Sequence, residues 1–375
     1  MRTSQRPPSA AAPDVQAVLR TAERIGRQVL GPRAERTDAG AEPPCENFAA
    51  MAEAGLLGLA VPTTHGGLGL DPITVLQVKE TLARYCGLTP FLLTQHTGVC
   101  GSIASGGRPL AATILPLLAR GELLVGIGAS HLRRGGEPLL RARPVDGGYL
   151  LDGVVPWASG LGLMTHLSLG AVVEDLGPLF FWVPFVPAPG IGFSAPMDLM
   201  VMRAARTVSV TCEALFVPDS SVLYDDRSGS WRVEHGGPLS NPVSYLLGVG
   251  AACLDGLGER VADSGSQAQR DRLDRERERL GALRDRYYAL LRRMYEDRQD
   301  IEALDALLSL RVEASAQVLH LAGLAVAAAG GTAHLRSKPR PTALARGLFL
   351  QHRHRECRGS RGDDHRLLSI QSHSA

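Results

Sequence analysis

Residues 141–160 read Arg-Ala-Arg-Pro-Val-Asp-Gly-Gly-Tyr-Leu-Leu-Asp-Gly-Val-Val-Pro-Trp-Ala-Ser-Gly. The Asp146-Gly147 pair is a two-residue hairpin signal, because both central positions tolerate positive φ, and the flanking residues alternate as strands do. The stretch therefore predicts strands over 139–145 and 149–157. Trp157 falls at the end of the second strand, and Ser159, two residues on, is expected on the same face. A flat indole beside a hydroxyl suits a flat heterocycle that also takes a hydrogen bond, such as a flavin. A tryptophan packed into a core is the plainer reading of the same residue, since most indoles simply pack.

Around this hairpin the pattern has a period near two, with further strands expected over 123–129, 165–174, 179–185 and 207–216. Prolines 178, 184, 187, 189, 196 and 218 punctuate them, which predicts a small β-barrel with loops and edge strands. Before residue 121 the period is helical. Val15, Val18, Leu19, Ala22, Ile25 and Val29 share one helix face, a second helix after Pro43-Pro44 carries Phe48, Met51 and Leu56, and more helices are expected over 71–86, 90–105 and 109–119. Between them Gly66, Gly67 and Gly69 allow a tight turn before Asp71, which caps a helix with Pro72 at its first position. That glycine cluster lacks the Lys-Ser/Thr ending of a phosphate loop and follows no Rossmann strand.

After about residue 236 helices return. Leu280, Leu283, Tyr287, Leu290 and Met294 form one apolar stripe, and Ile301, Leu304, Leu308, Val312 and Leu319 continue it. Charges of alternating sign over 259–279 read as a solvated helix laced with ion pairs.

The composition belongs to an ordinary globular chain: 375 residues, 45% hydrophobic and 21% charged. Forty basic and 38 acidic residues are interspersed for a net charge of +2, which carries no sign of nucleic-acid or membrane-surface binding. The six cysteines, Cys45, Cys86, Cys100, Cys212, Cys253 and Cys357, are scattered singly, so free thiols in a cytoplasmic protein are expected, with no metal site. Residues 1–13 read as a flexible tail without a signal-peptide core. The apolar run 318–329 is too short to span a membrane and reads as a buried helix.

Tyr149-Leu-Leu-Asp-Gly153 followed by Pro156-Trp-Ala-Ser159 resembles the middle segment of the acyl-CoA dehydrogenase superfamily. The run 55–71, Gly-Leu-Leu-Gly-Leu-Ala-Val-Pro-Thr-Thr-His-Gly-Gly-Leu-Gly-Leu-Asp, resembles that family's N-terminal signature. Arg206-Thr207, with its alternating run to Val217-Pro218, resembles the strand before the C-terminal helices. The resemblance covers roughly residues 14–350. It implies an α+β multidomain fold: an N-terminal helical domain (14–120), a small middle β-barrel domain (121–228) and a C-terminal four-helix-bundle domain (229–351), assembled as a homodimer or homotetramer. It further implies FAD as cofactor, an acyl-CoA or related thioester as substrate, Trp157 against the isoalloxazine and Ser159 bonded to it, with Ser130, Gly330 and Gly331 also at the cofactor.

Oxidising an acyl thioester between its α and β carbons needs a base for the α proton while the β hydride leaves to the flavin. In the family that base is a glutamate about two dozen residues after a Gly-Gly pair. Counting from Gly330-Gly331 through Pro339 and Leu344-Ala345-Arg346 puts Arg355 at that position, and a guanidinium stays protonated. Glu356 is adjacent but would be rotated by about 100° on a helix. After Gly126 the family's Thr-Glu-Pro-x-x-Gly-Ser is replaced by Ile-Gly-Ala-Ser-His-Leu-Arg-Arg-Gly-Gly-Glu-Pro, in which Ser130 and Arg133 or Arg134 are candidate cofactor contacts or simply a solvated loop. No Arg-x-x-Phe-Gly appears in the second helical region. His96 is a candidate for the wall of a substrate channel, with a satisfied core histidine as the alternative.

Residues 352–375 have no apolar face. They read either as an irregular basic tail or as the product of a reading-frame change near codon 340. His352, His354 and His365 lie among arginines there, which disfavours a metal. Three activities stay open: an FAD-dependent acyl-thioester oxidoreductase, a flavin-dependent monooxygenase of the same fold, and a non-catalytic paralogue that binds acyl groups or a partner.

Overall fold

The computed structural model describes residues 13–330 apart from 41–42, 134–135, 226–241 and 298–299. Helix α1 (Val15–Ile25) begins at Asp14, whose carboxylate accepts the Gln16 and Ala17 N–H groups at 3.0 and 3.1 Å. It continues through a π-helical turn, Gly26–Leu30, into α2 (Gly31–Ala39), so this helical run outlasts its expected end at residue 30. Then come α3 (Cys45–Glu53), α4 (Pro72–Ala83), α5 (Leu88–Gly106) and α6 (Leu110–Arg120). Asp71 caps α4 as the sequence predicts, accepting from the Ile73 and Thr74 N–H groups at 3.0 Å. Pro90 is tolerated in the first turn of α5, where no intrahelical partner waits for its nitrogen.

The middle region holds β1 (Val125–Gly128), β2 (Leu140–Val145), β3 (Gly148–Ala158), β4 (His166–Val173), β5 (Gly177–Pro184), β6 (Ile191–Phe193), β7 (Val208–Pro218) and β8 (Val222–Asp225). Val145 pairs with Gly148, so Asp146-Gly147 is the hairpin turn. The described strands form the expected middle β region as one eight-stranded sheet in the order β6-β7-β3-β2-β4-β5-β8, with β1 parallel to the first half of β4. Its ends, β6 and β8, are three and four residues long, too short to show alternation in the sequence.

Three helices follow among the described residues: α7 (Pro242–Ser264), α8 (Gln267–Glu296) and α9 (Ile301–Ala329). The expected fourth helix and tail would lie in 331–375, outside the described residues. In α8 the predicted stripe holds at Leu280, Leu283, Tyr287 and Met294, with Leu291 rather than Leu290 fully enclosed. In α9 it is displaced. Ile301 and Val312 are exposed, while Leu307, Leu310, Ala314, Val318 and Leu321 have no exposed surface. That helix is apolar nearly all round, so periodicity does not select its buried face. It begins at Ile301, the first residue of the expected stripe, and takes in the apolar run 318–329.

Helix α4 joins the regions. Val75, Val78 and Leu82 enter a core shared with the N-terminal helices and the sheet, while Leu76 and Ala83 enter the bundle core. A Cβ at Gly248 of α7 would stand 2.3 Å from the Glu80 carbonyl oxygen, so only glycine permits this helix approach. Beside it, Arg84 binds Asp255 through two nitrogens at 2.6 and 2.7 Å, and Glu80 accepts from Arg284 Nε at 2.6 Å and Tyr288 OH at 2.5 Å.

Candidate functional site

At the far end of β3 the ladder with β7 slips. Val155 pairs with Val210 and Ala158 with Val208, so three steps along β3 face two along β7. The extra residue is a bulge, which interrupts alternation and re-aims side chains. Trp157, inside the bulge, is 40% exposed, whereas Ser159, just past the strand end, is 8% exposed. The same-face expectation rested on uninterrupted pleating, and the bulge removes it: the indole meets solvent while the hydroxyl turns inward. Ser159 Oγ lies 2.8 Å from Thr207 Oγ1, itself 3% exposed.

The backbone around this pair is under tension. The Gly160 N–H donates to the Ala205 carbonyl at 2.6 Å. Gly160 itself has φ +102°, and any side chain there would collide, because a Cβ would stand 2.5 Å from Met164 Cγ. Across from it, Met202 and Arg206 hold φ of 57° and 43°, the left-handed region that non-glycine residues seldom occupy. The Met202 N–H donates to Asp38 Oδ1 of α2 at 3.3 Å, tying this strained loop to the N-terminal helices. Strand β1 closes the other side: a Cβ at Gly126 would lie 3.2 Å from the Ser159 carbonyl oxygen. Ser130, half-buried, opens the 3₁₀ turn Ser130–Arg133 that leaves β1 and packs on β3. Trp157, Ser159 and Ser130 thus come from neighbouring elements.

His96 has no exposed surface, as the core-histidine alternative expects. Its Nδ1 accepts the Val125 N–H at 3.3 Å, so the neutral ring carries its proton on Nε2, which faces Cys100 Sγ at 3.7 Å. Burial pushes its pKa down to about 4. Gln95 Oε1 takes the next β1 donor on that edge, the Ile127 N–H, at 3.3 Å. Two consecutive side chains of α5 therefore satisfy the strand edge that β4 leaves open. Nearby Lys79 is 4% exposed, and burial pushes its ammonium down to about 7. Cys100 is also pushed up by burial.

Gly330 caps α9 with φ +55° and is exposed, and a Cβ there would meet nothing within 4 Å. Gly331, Arg355 and Glu356 lie outside the described residues. A groove of about 310 Å³ on the bundle, lined by Arg279, Arg286, Glu313 and Gln317, offers little free charge, since Arg279 pairs with Glu276 and Arg286 with Glu313. Sequence reasoning took Thr207 only as a strand residue. Its pairing with Ser159 depends on a register 48 residues apart in the chain, for which no local signal exists. Lys79 was legible as a lone charge after Thr74-Val-Leu-Gln-Val78, but nothing marked it as buried.

The acyl-CoA dehydrogenase N-terminal domain family matches residues 12–122. The chain is 27% identical over 240 residues to the mitochondrial isovaleryl-CoA dehydrogenase of Arabidopsis thaliana, covering 61% of this chain and 59% of that protein. It is 25% identical over 243 residues to a probable acyl-CoA dehydrogenase of Bacillus subtilis, covering 62% and 64%. It therefore spans about three-fifths of the length of these curated relatives. Its fold is similar to that of butyryl-CoA dehydrogenase from Megasphaera elsdenii, with a TM-score of 0.80 at 18% identity over 92% of this chain and 95% of that one. The N-terminal match and these relatives support the acyl-CoA dehydrogenase superfamily, and the order of helices, sheet and helices is the fold that the chain shares with it.

Proposed function

We propose that this chain is a flavin-dependent oxidoreductase acting on an acyl thioester. The observation that carries the reading is the bulged end of β3, where an exposed indole stands two residues from a buried hydroxyl with hydrogen-bonding capacity left over. The residues fit a flat, hydrogen-bonding ring: Trp157 offers an aromatic plane, Ser159 a hydroxyl, and the close passage of Gly126 keeps the Ser159 backbone fixed. Trp157 and Ser159 would hold the flavin ring, with Ser130 beside them. Bound there, FAD supplies a two-electron acceptor. Membership of a superfamily whose named relatives include isovaleryl-CoA dehydrogenase supports the thioester substrate.

The proton-abstracting residue is not assigned. Arg355 in the position where the family carries its base favours a second reading, a flavin-dependent monooxygenase, which needs no α-proton base. One experiment separates them. The purified chain is examined for bound flavin and then mixed anaerobically with a panel of acyl-CoA thioesters. Loss of the oxidised flavin spectrum supports the oxidoreductase. Flavin that stays oxidised with every thioester, yet once reduced is reoxidised by oxygen as a substrate is hydroxylated, supports the monooxygenase. A chain that takes up no flavin overturns both.

A further inference from the structure

The Ser159–Thr207 bond leaves a proton to be placed. Each hydroxyl carries one proton and two lone pairs, and neither side chain makes another hydrogen bond among the described residues. One of the two protons is therefore spent within the pair and the other is left over. Were Ser159 the donor, the leftover proton would sit on Thr207, the more deeply buried of the two, with no acceptor bonded to it among the described residues. Were Thr207 the donor, it would sit on Ser159, less buried and two residues from the exposed indole. A buried donor without a partner costs more than an unfilled lone pair, so the second arrangement is favoured.

We infer that Thr207 is a positioning residue: it donates to Ser159 Oγ and so aims the Ser159 proton outward, as a donor to an acceptor atom of the bound flavin. The inference rests on the flavin reading above. The backbone is built to hold this arrangement. Ala158 and Val208 are register partners, which sets Ser159 and Thr207 opposite one another just beyond the paired strands. The Gly160 N–H to Ala205 carbonyl bond locks the next step at 2.6 Å. The two left-handed residues, Met202 and Arg206, lie in the segment that delivers Thr207. Such strain persists only where surrounding contacts over-determine it, and it gathers at ligand sites.

The test is FAD titration of flavin-stripped protein, with the dissociation constant and the position of the bound flavin's visible band as readouts. The variants are Ser159→Ala, Thr207→Val, the double variant and Thr207→Ser. Thr207→Val is expected to weaken FAD binding by roughly threefold to tenfold, the contribution of one hydrogen bond, and to shift the band as Ser159→Ala does. The double variant is expected to bind no more weakly than Ser159→Ala alone, and Thr207→Ser to restore wild-type values. A merely structural threonine would lower stability without moving the band. Wild-type FAD binding in Thr207→Val beside a weakened Ser159→Ala overturns the positioning role and leaves the flavin reading intact, as does an additive double variant. Should Thr207→Val fail to fold, Thr207→Ser decides: weakened binding with the hydroxyl retained contradicts the inference, and wild-type binding and spectrum support it. A wild-type chain that binds no FAD overturns the flavin reading and this inference together.

Discussion

The two flanks of β1 use buried polar side chains in opposite ways. On the α5 side, His96 and Gln95 give their acceptor atoms to the Val125 and Ile127 N–H groups, so those atoms are spent in closing a strand edge. On the β3 side, Ser159 and Thr207 are equally enclosed but have one proton more than they use. The difference teaches that burial of a polar group does not mark a site. What marks it is polar capacity left over next to an exposed aromatic surface, here Trp157.

The largest expected effect comes from the helical flank, where Lys79 is buried with no hydrogen bond among the described residues. Its folded pKa, about 7 against the ordinary 10.5, lies below its unfolded value. Below pH 7 both states carry the proton and the full burial penalty is present. Between pH 7 and 10.5 the folded chain sheds its proton first, and stability rises with pH. Lys79→Met is therefore expected to be more stable than wild type by on the order of 5 kcal/mol at pH 6, with the gap closing towards pH 10. Urea unfolding at pH 6, 8 and 10 checks this. A gap independent of pH would mean that Lys79 is not held in an apolar setting.

His96 behaves in the same sense at lower pH. Its folded pKa of about 4 lies below the ordinary 6.5, so as pH falls through this window the unfolded chain takes up a proton that the folded chain refuses. About 3 kcal/mol of stability is expected to be lost between pH 6.5 and 4 on this account. His96→Asn, which keeps an acceptor for the Val125 N–H, is expected to remove that slope while leaving FAD binding unchanged. Altered flavin affinity in this variant would return His96 to the site and break the contrast between the flanks.

On the β3 flank Gly160→Ala is expected to cost about 1–3 kcal/mol, from the strain of a side chain at φ +102° and its collision with Met164. Thermal denaturation measures it. Because the same loop carries Ser159, flavin affinity is expected to fall along with stability, which the His96 variant would not show.

How much of this was legible follows from the range of the interactions. The Asp146-Gly147 turn and the Asp71 cap are local, and both were readable from a few neighbouring residues. The helices-sheet-helices order was readable from the change of period. The edge strands of the sheet were not, because β6 and β8 are too short to alternate, and the buried face of α9 was not, because alanine and leucine surround that helix. At the site, Trp157 and Ser159 could be named from sequence, but their relative orientation could not. A one-residue bulge gives them different exposure, and that bulge exists only in the pairing of β3 with β7. Thr207 and Gly126 join the site through the same long-range register.

The central claim, that the exposed indole at the end of β3 faces the flavin, is tested most directly by tryptophan fluorescence during FAD titration. The chain has three tryptophans, Trp157, Trp182 and Trp231. Trp157→Phe is expected to change stability by less than about 0.5 kcal/mol, as exposed positions do. FAD should strongly quench the wild-type protein, and most of that quenching should vanish in Trp157→Phe. Equal quenching in the two proteins would contradict the account.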